Sequence, residues 1–151
     1  MNPPPVVVPC AVCGKRNRMQ VAAKGSPRCG NCGSPLPWIV EADDSSYADV
    51  VESADVPVLV DVWAPWCGPC RAVSPALEAL ATDLAGRVKL AKVNADESPR
   101  TATQLSAQAI PTLVVIDRGR EVARQVGAAP AQALREWLDR ALTDVTQARQ
   151  R

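Results

Sequence analysis

Residues Val58-Leu59-Val60-Asp61-Val62-Trp63-Ala64-Pro65-Trp66-Cys67-Gly68-Pro69-Cys70 carry an apolar run straight into a Cys-x-x-Cys pair. From Val58 to Trp63 the run is too continuously apolar for a surface strand and suits a buried central one. The helix expected next, from Cys67 to about Leu84, repeats Val73, Leu77, Leu80 and Leu84 at helical spacing and stops at Gly86, with Pro75 inside it. A sulfur at the start of that helix meets unpaired backbone N–H groups and the positive end of the helix dipole, both of which favour its thiolate. The intervening Gly-Pro restricts the loop, and two sulfurs so spaced can close a disulfide and open again. Cys67 is thus the candidate nucleophile and Cys70 the candidate resolving thiol.

Working outward, a short strand is expected near Trp38-Ile39-Val40, then a helix through Val51 capped by Ser45 or Ser46. Val88 to Val93 reads as a strand and Pro99 to Ser106 as a short helix. Thr112 to Asp117 and Glu121 to Val126 flank Arg118-Gly119-Arg120, a hairpin signal. A last helix opens with Pro130 and shows Leu134, Leu138, Ala141, Leu142 and Val145 on one face. This order implies an α/β sheet covered on both faces, with the cysteine loop at the carboxyl end of a central strand.

Ahead of residue 38 the composition changes. Residues 1–37 hold Lys15, Arg16, Arg18, Lys24 and Arg28 with no Asp or Glu, although the whole chain carries a net charge of only +1. Within them, Cys10-Ala-Val-Cys13-Gly14 and Cys29-Gly-Asn-Cys32-Gly33 stand fifteen residues apart, the spacing of a four-thiolate zinc site. Each second cysteine precedes a glycine, which can take the positive φ that turns N–H groups toward the sulfurs. So short a piece buries little, and one structural Zn²⁺ would supply most of its folding energy. Disulfides within each pair are one competing reading, opposed by the glycine pattern and by a reducing compartment; Cys67 and Cys70 as ligands with one amino-terminal pair are another, opposed by the Gly-Pro between them and the Trp before them. The Pro-rich start at Pro3, Pro4, Pro5 and Pro9 reads as an extended tail. The domain boundaries expected are 1–37 for tail and zinc ribbon and 38–151 for the α/β domain.

The chain has no histidine, which removes Ser-His-Asp and Cys-His hydrolases and any zinc site with imidazole ligands. The small net charge argues against a general polyanion binder, and residues 1–37 lack the aromatic side chains that stack on bases, so no nucleic-acid partner is expected. No apolar stretch approaches a membrane span, and Met1 to Pro9 lacks the charged start of a signal peptide. The expectation is a cytoplasmic monomer without a membrane partner.

Asp61 is anomalous, because a carboxylate inside an apolar run needs a partner or a raised pKa unless it reaches solvent at the strand end. Here a resemblance enters. Asp61-Val62-Trp63-Ala64-Pro65-Trp66-Cys67-Gly68-Pro69-Cys70-Arg71 closely resembles the active-site segment of the thioredoxins, over a span from about Trp38 to Val145. With the four-cysteine piece in front, the chain resembles the zinc-bearing thioredoxin 2 type of bacteria. It departs from common thioredoxins in having no Phe and in Val62 where they usually carry Phe.

The resemblance implies the thioredoxin fold, a central mixed sheet with helices on both faces, preceded by the small zinc ribbon. It implies a protein-disulfide reductase that works through a redox-active Cys67–Cys70 disulfide without a bound organic cofactor. A flavin-containing thioredoxin reductase using NADPH would recharge it, and oxidised proteins would be its substrates. It further implies a cis Ile110-Pro111 bond, with Pro111 facing the sulfurs, and a proton relay from buried Asp61 near Lys92. Trp66, Gly68, Pro69, Ile110, Gly127 and Ala128 would form the docking groove, while Trp63 would pack in the core. Two other readings stay open at this level: a zinc-dependent redox sensor or holdase, and a disulfide oxidase or isomerase of the same fold.

Overall fold

The computed structural model describes residues 4–23 and 26–151; Pro3 and Lys24 lie outside them. Strand β1 (Val6–Pro9) pairs antiparallel with β2 (Arg16–Met19). There follow β3 (Ile39–Ala42), a short π-helical turn (Ala48–Glu52), β4 (Val58–Trp63), α1 (Gly68–Asp83), β5 (Lys89–Asn94), α2 (Pro99–Gln104), β6 (Thr112–Asp117), β7 (Arg120–Val126) and α3 (Ala131–Arg149). The last five strands form one mixed sheet in the order β3-β5-β4-β6-β7, with β3, β5 and β4 parallel and β6 antiparallel to both its neighbours.

Strand alternation divides the core into two layers. Leu59 of β4, Leu90 of β5 and Leu113 and Val115 of β6 meet Val73, Leu77 and Leu80 of α1 and Leu134, Leu138 and Leu142 of α3. Val58, Val60 and Val62 face the other way, against Val50, Val51, Tyr47 and Leu105. That second layer runs on without a break into Trp38, Leu36, Met19, Val21, Cys10 and Cys29 of the amino-terminal piece. Further contact comes from Ser26 Oγ, which donates to the Gly86 carbonyl at 3.0 Å.

Several local expectations change. The Pro-rich start is not a free tail, because Val6–Pro9 is the first strand of a hairpin; Pro9 ends that edge strand, where its missing N–H costs no ladder bond. Neither Ser45 nor Ser46 caps the turn before Val51. Asp43 does: its Oδ1 accepts from the Ser45 and Ser46 N–H groups at 3.0 Å each, and its own N–H donates to Ser46 Oγ. Asp44 likewise caps α2 from a distance in sequence, accepting from Thr101 N at 2.7 Å and Arg100 N at 3.3 Å. Pro130 stands just outside α3, with ψ 152, and not inside its first turn. Trp63 is half-buried, with the Lys92 ammonium 5.5 Å from its ring.

Lys89 is the polar surprise of the core. It is fully buried at the start of β5, donates to the Val50 carbonyl at 2.7 Å, and lies 4.2 Å over the Trp38 ring. Burial lowers its pKa to about 8. The unfolded chain, with an ordinary value near 10.4, therefore holds a proton that the folded one sheds between pH 8 and 10, so stability rises with pH across that window. Above pH 10 the trend reverses, since burial holds Tyr47 up at about 12 while the unfolded tyrosine ionises earlier. Denaturant melts of wild type and Lys89→Met should thus differ by a pH-dependent amount: Met's relative stability falls by about 1 to 2 kcal/mol from pH 8 to pH 10. Parallel curves would exclude Lys89 as the titrating group.

Candidate functional site

The dithiol sits where β4 hands over to α1. Cys67 is the residue capping α1, with φ −87° and ψ 107°, and its Sγ accepts the Cys70 N–H at 3.2 Å. Cys67 and Cys70 are joined as a disulfide with their Cα atoms 5.3 Å apart. The cap bond and the helix start both favour negative charge on the Cys67 sulfur once the disulfide opens. Both cysteines are buried, while Gly68 and Pro69 between them are exposed.

A second chain segment closes over the sulfurs. The Ile110-Pro111 peptide is cis, and the Ile110 carbonyl oxygen lies 3.9 Å from Cys67 Sγ. Thr112 Oγ1 donates to the Ala109 carbonyl across this turn. Gly127 N donates to the Pro111 carbonyl at 2.8 Å, which brings Gly127 and the exposed Ala128 beside it. Trp66 is 70% exposed, steadied by its indole N–H on Asp96 Oδ2 at 3.0 Å, and Val126 is 55% exposed. The disulfide therefore lies beside an apolar rim of Trp66 and Val126.

Behind the dithiol lies a cavity of about 270 Å³ bordered by Asp61, Trp63, Cys70, Arg71, Ser74, Pro75 and Lys92. Alternation along β4 puts Leu59, Asp61 and Trp63 on the α1 face, and Lys92 stands beside Asp61 in the β4–β5 register. Asp61 is 1% exposed, and neither carboxylate oxygen has a hydrogen-bond partner among the described residues. Burial raises its pKa to about 6, against the opposing pull of Lys92 and with a small push from Glu78.

The four remaining cysteines converge at the other end of the chain. Their sulfurs all lie within 4.8 Å of one another, with Cys10–Cys32 and Cys13–Cys29 each 3.6 Å apart. A tetrahedron with zinc–sulfur bonds of about 2.3 Å has edges near 3.8 Å, so this donor set fits zinc. The two knuckles repeat one geometry. Cys10 N and Cys29 N donate to Lys15 O and Ser34 O at 2.8 Å, and Gly14 N and Gly33 N donate back to Cys10 O and Cys29 O at 2.9 Å. Both glycines take φ +78°. Val12 N reaches Cys10 Sγ at 3.4 Å and Asn31 N reaches Cys29 Sγ at 3.4 Å. Backbone N–H groups of Cys32 and Asn31 bring the Cys29 thiol down to about 6, against the opposing effect of burial.

The paired sulfurs at a helix start, the cis-proline turn and the apolar rim define a thiol–disulfide oxidoreductase. Residues 38–140 match the family model for thioredoxin. The chain is 42% identical over 101 residues to "Thioredoxin" of Haemophilus influenzae, covering 67% of this chain and 94% of that one. It is 44% identical over 102 residues to "Thioredoxin 1" of a Nostoc species, covering 68% and 95%. With "Thioredoxin C-3" of Corynebacterium nephridii it shares 34% identity over 140 residues, covering 91% of this chain and 96% of that relative. So long a match extends ahead of residue 38. The chain belongs to the thioredoxin family.

The structure thus gathers Cys67, Cys70, Trp66, Ile110, Pro111 and Gly127 around one opening, and Asp61 with Lys92 around the cavity behind it. Sequence reading missed Asp96, Ser74 and Glu78. The signal for the last two was available: 70, 74 and 78 recur at i, i+4 along α1, so a polar stripe runs from the second cysteine up the helix face.

Asp61 leaves a signature in stability. The folded pKa of about 6 exceeds the unfolded value near 3.9, so the folded state holds the extra proton and stability falls as pH rises from about 4 to 6. In the oxidised protein, Asp61→Asn should be more stable than wild type by about 2 to 3 kcal/mol at pH 7, a gain that disappears below pH 4 apart from a fixed offset. Melts at pH 3.5 and pH 7 measure it, and an equal difference at both would mean that Asp61 titrates normally.

Proposed function

We propose that this chain reduces protein disulfides, with Cys67 as nucleophile, Cys70 as resolving thiol and Asp61 as its proton acceptor. The observation that carries the reading is the Cys67 sulfur at the α1 N-terminus, accepting the Cys70 N–H beside the cis-proline turn. The Cys67 thiolate attacks one sulfur of a target disulfide, forming a mixed disulfide and expelling the other target sulfur as a thiolate that takes a proton. Cys70 then gives its proton to the Asp61 carboxylate and attacks Cys67. The Cys67–Cys70 bond forms, the mixed disulfide breaks, and the second target thiolate leaves. Two electrons pass from the dithiol to the target, and each sulfur atom is accounted for.

In this reading the target's extended backbone docks along Ile110, Pro111, Gly127 and Ala128, with its apolar side chains against Trp66, Gly68 and Pro69. A flavin-containing thioredoxin reductase with NADPH restores the dithiol, and the protein works in the cytoplasm as a monomer. No helix among the described residues is long and apolar enough to cross a membrane. Residues 1–37 act as a ribbon whose Cys10, Cys13, Cys29 and Cys32 hold one structural zinc, with the thioredoxin domain over 38–151. Zinc there would supply crosslinking, since four protein ligands leave no open position for catalysis.

The full chain with dithiothreitol should reduce insulin disulfides, and Cys70→Ser should lose turnover by about 100-fold or more while accumulating a covalent adduct through Cys67. Trapping through Cys70 in a Cys67→Ser protein instead would reverse the assignment. Metal analysis of the reduced protein should find one zinc per chain, lost on Cys29→Ser, with insulin reduction by that variant kept within a few-fold. A metal-free wild type would remove the ribbon reading and leave the dithiol untouched.

A further inference from the structure

Ser74 stands one helical turn beyond Cys70 and makes a contact that its neighbours in type do not. Thr82, Thr143 and Thr146 each donate their hydroxyl to the carbonyl one turn back, the usual recourse of a hydroxyl inside a helix. Ser74 has no such bond among the described residues. Its Oγ instead accepts the Lys92 ammonium at 2.8 Å, and Glu78 Oε1, one turn further along α1, lies 3.8 Å from the same ammonium. Lys92 is the cross-strand neighbour of Asp61, on the same sheet face and around the same cavity. A buried carboxylate with both oxygens unpartnered would ordinarily attract the nearest cation. Here that cation is tied to helix α1.

We propose that Ser74 is a positioning residue for the second step of disulfide exchange: by holding the Lys92 ammonium on α1, it keeps the cation off Asp61 and so preserves Asp61 as a base toward Cys70. The inference rests on the reading of Asp61 as the proton acceptor of that step. The charged and titratable groups facing Asp61 are few. Lys92 comes from β5, and Cys70, Arg71 and Glu78 come from α1, with Arg71 on the exposed side of its helix. Of the two cations bordering the cavity, Lys92 is the cross-strand neighbour of Asp61 and the one whose charge pulls its pKa down. Glu78 competes for it weakly, being half exposed and nearly 4 Å away.

Removing the hydroxyl should let the ammonium turn to Asp61. In Ser74→Ala, a helix-favouring change, the Asp61 titration midpoint in the oxidised protein should fall by about one pH unit, a tenfold change in its acid constant. Carboxyl carbon NMR on aspartate-labelled protein reads it, with the signal assigned by its loss in Asp61→Asn. In the reduced protein, release of the second thiolate from a mixed disulfide with an aromatic disulfide probe, followed by stopped flow, should slow about threefold at pH 7. Its pH midpoint should move down with the carboxyl. Ser74→Thr, which keeps an acceptor oxygen, should restore both. A midpoint in Ser74→Ala that stays or rises would overturn the proposal. A wild-type release rate in Asp61→Asn would overturn the proton-acceptor reading, while the NMR midpoint of Ser74→Ala would still decide whether Ser74 holds Lys92 away.

Discussion

The complete burial of β4 is the constraint from which the remaining geometry follows. Val58, Leu59, Val60 and Val62 are each at most 1% exposed, so neither face of the strand can slip by one residue without turning Asp61 into the valine layer. With β5 parallel on one side and β6 antiparallel on the other, the strand's end is fixed along both edges. The chain leaves it through Ala64, Pro65 and Trp66 and enters α1 at Gly68, which places Cys67 at the cap of that helix. The sulfur is thus located by the sheet, and the antiparallel β6 carries the cis Ile110-Pro111 turn to the same end of it.

The same alternation decides which side chains can influence the chemistry. Leu59, Asp61 and Trp63 project toward α1, and so do Leu90 and Lys92 of β5, whereas Lys89 belongs to the opposite layer beneath Trp38. Two lysines three residues apart consequently have unrelated roles. Lys92 borders the cavity behind the dithiol and bears on Asp61; Lys89 is enclosed against the Val50 carbonyl and the Trp38 indole face, and burial lowers its proton affinity.

What sequence could convey divides along the same physical line. The sheet strands from Ile39 onward, the long helices and the Arg118-Gly119 hairpin follow from local periodicity and turn chemistry, and each lies within a residue or two of expectation. Caps formed over long range do not follow from it. Asp44 satisfies the start of α2 from 57 residues away, and no local pattern announces that. The hairpin at Val6–Pro9 was hidden because prolines suggest an isolated extended segment, yet an edge strand tolerates them when the ladder needs no N–H there. Lys89 was illegible for another reason: a lone lysine in a strand is ordinarily solvated, and only the assembled layers show that this one is not.

Three Cys-x-x-Cys pairs of identical spacing occupy this chain, and the backbone after each one separates their chemistry. In the amino-terminal pairs the residue following the second cysteine is a glycine at φ +78°, which reverses the chain and points both sulfurs of each knuckle outward to a shared centre. At Cys67 the chain instead enters a helix through Gly68 and Pro69, and Arg71 continues it, so the two sulfurs face each other across a single turn. Four converging thiols offer a closed tetrahedral donor set in which a bound zinc would engage every sulfur. A facing pair has no room for a metal between its sulfurs and every opportunity to bond. Geometry immediately downstream of the cysteines, and not their spacing, separates four converging thiols from a facing, bonded pair in this fold.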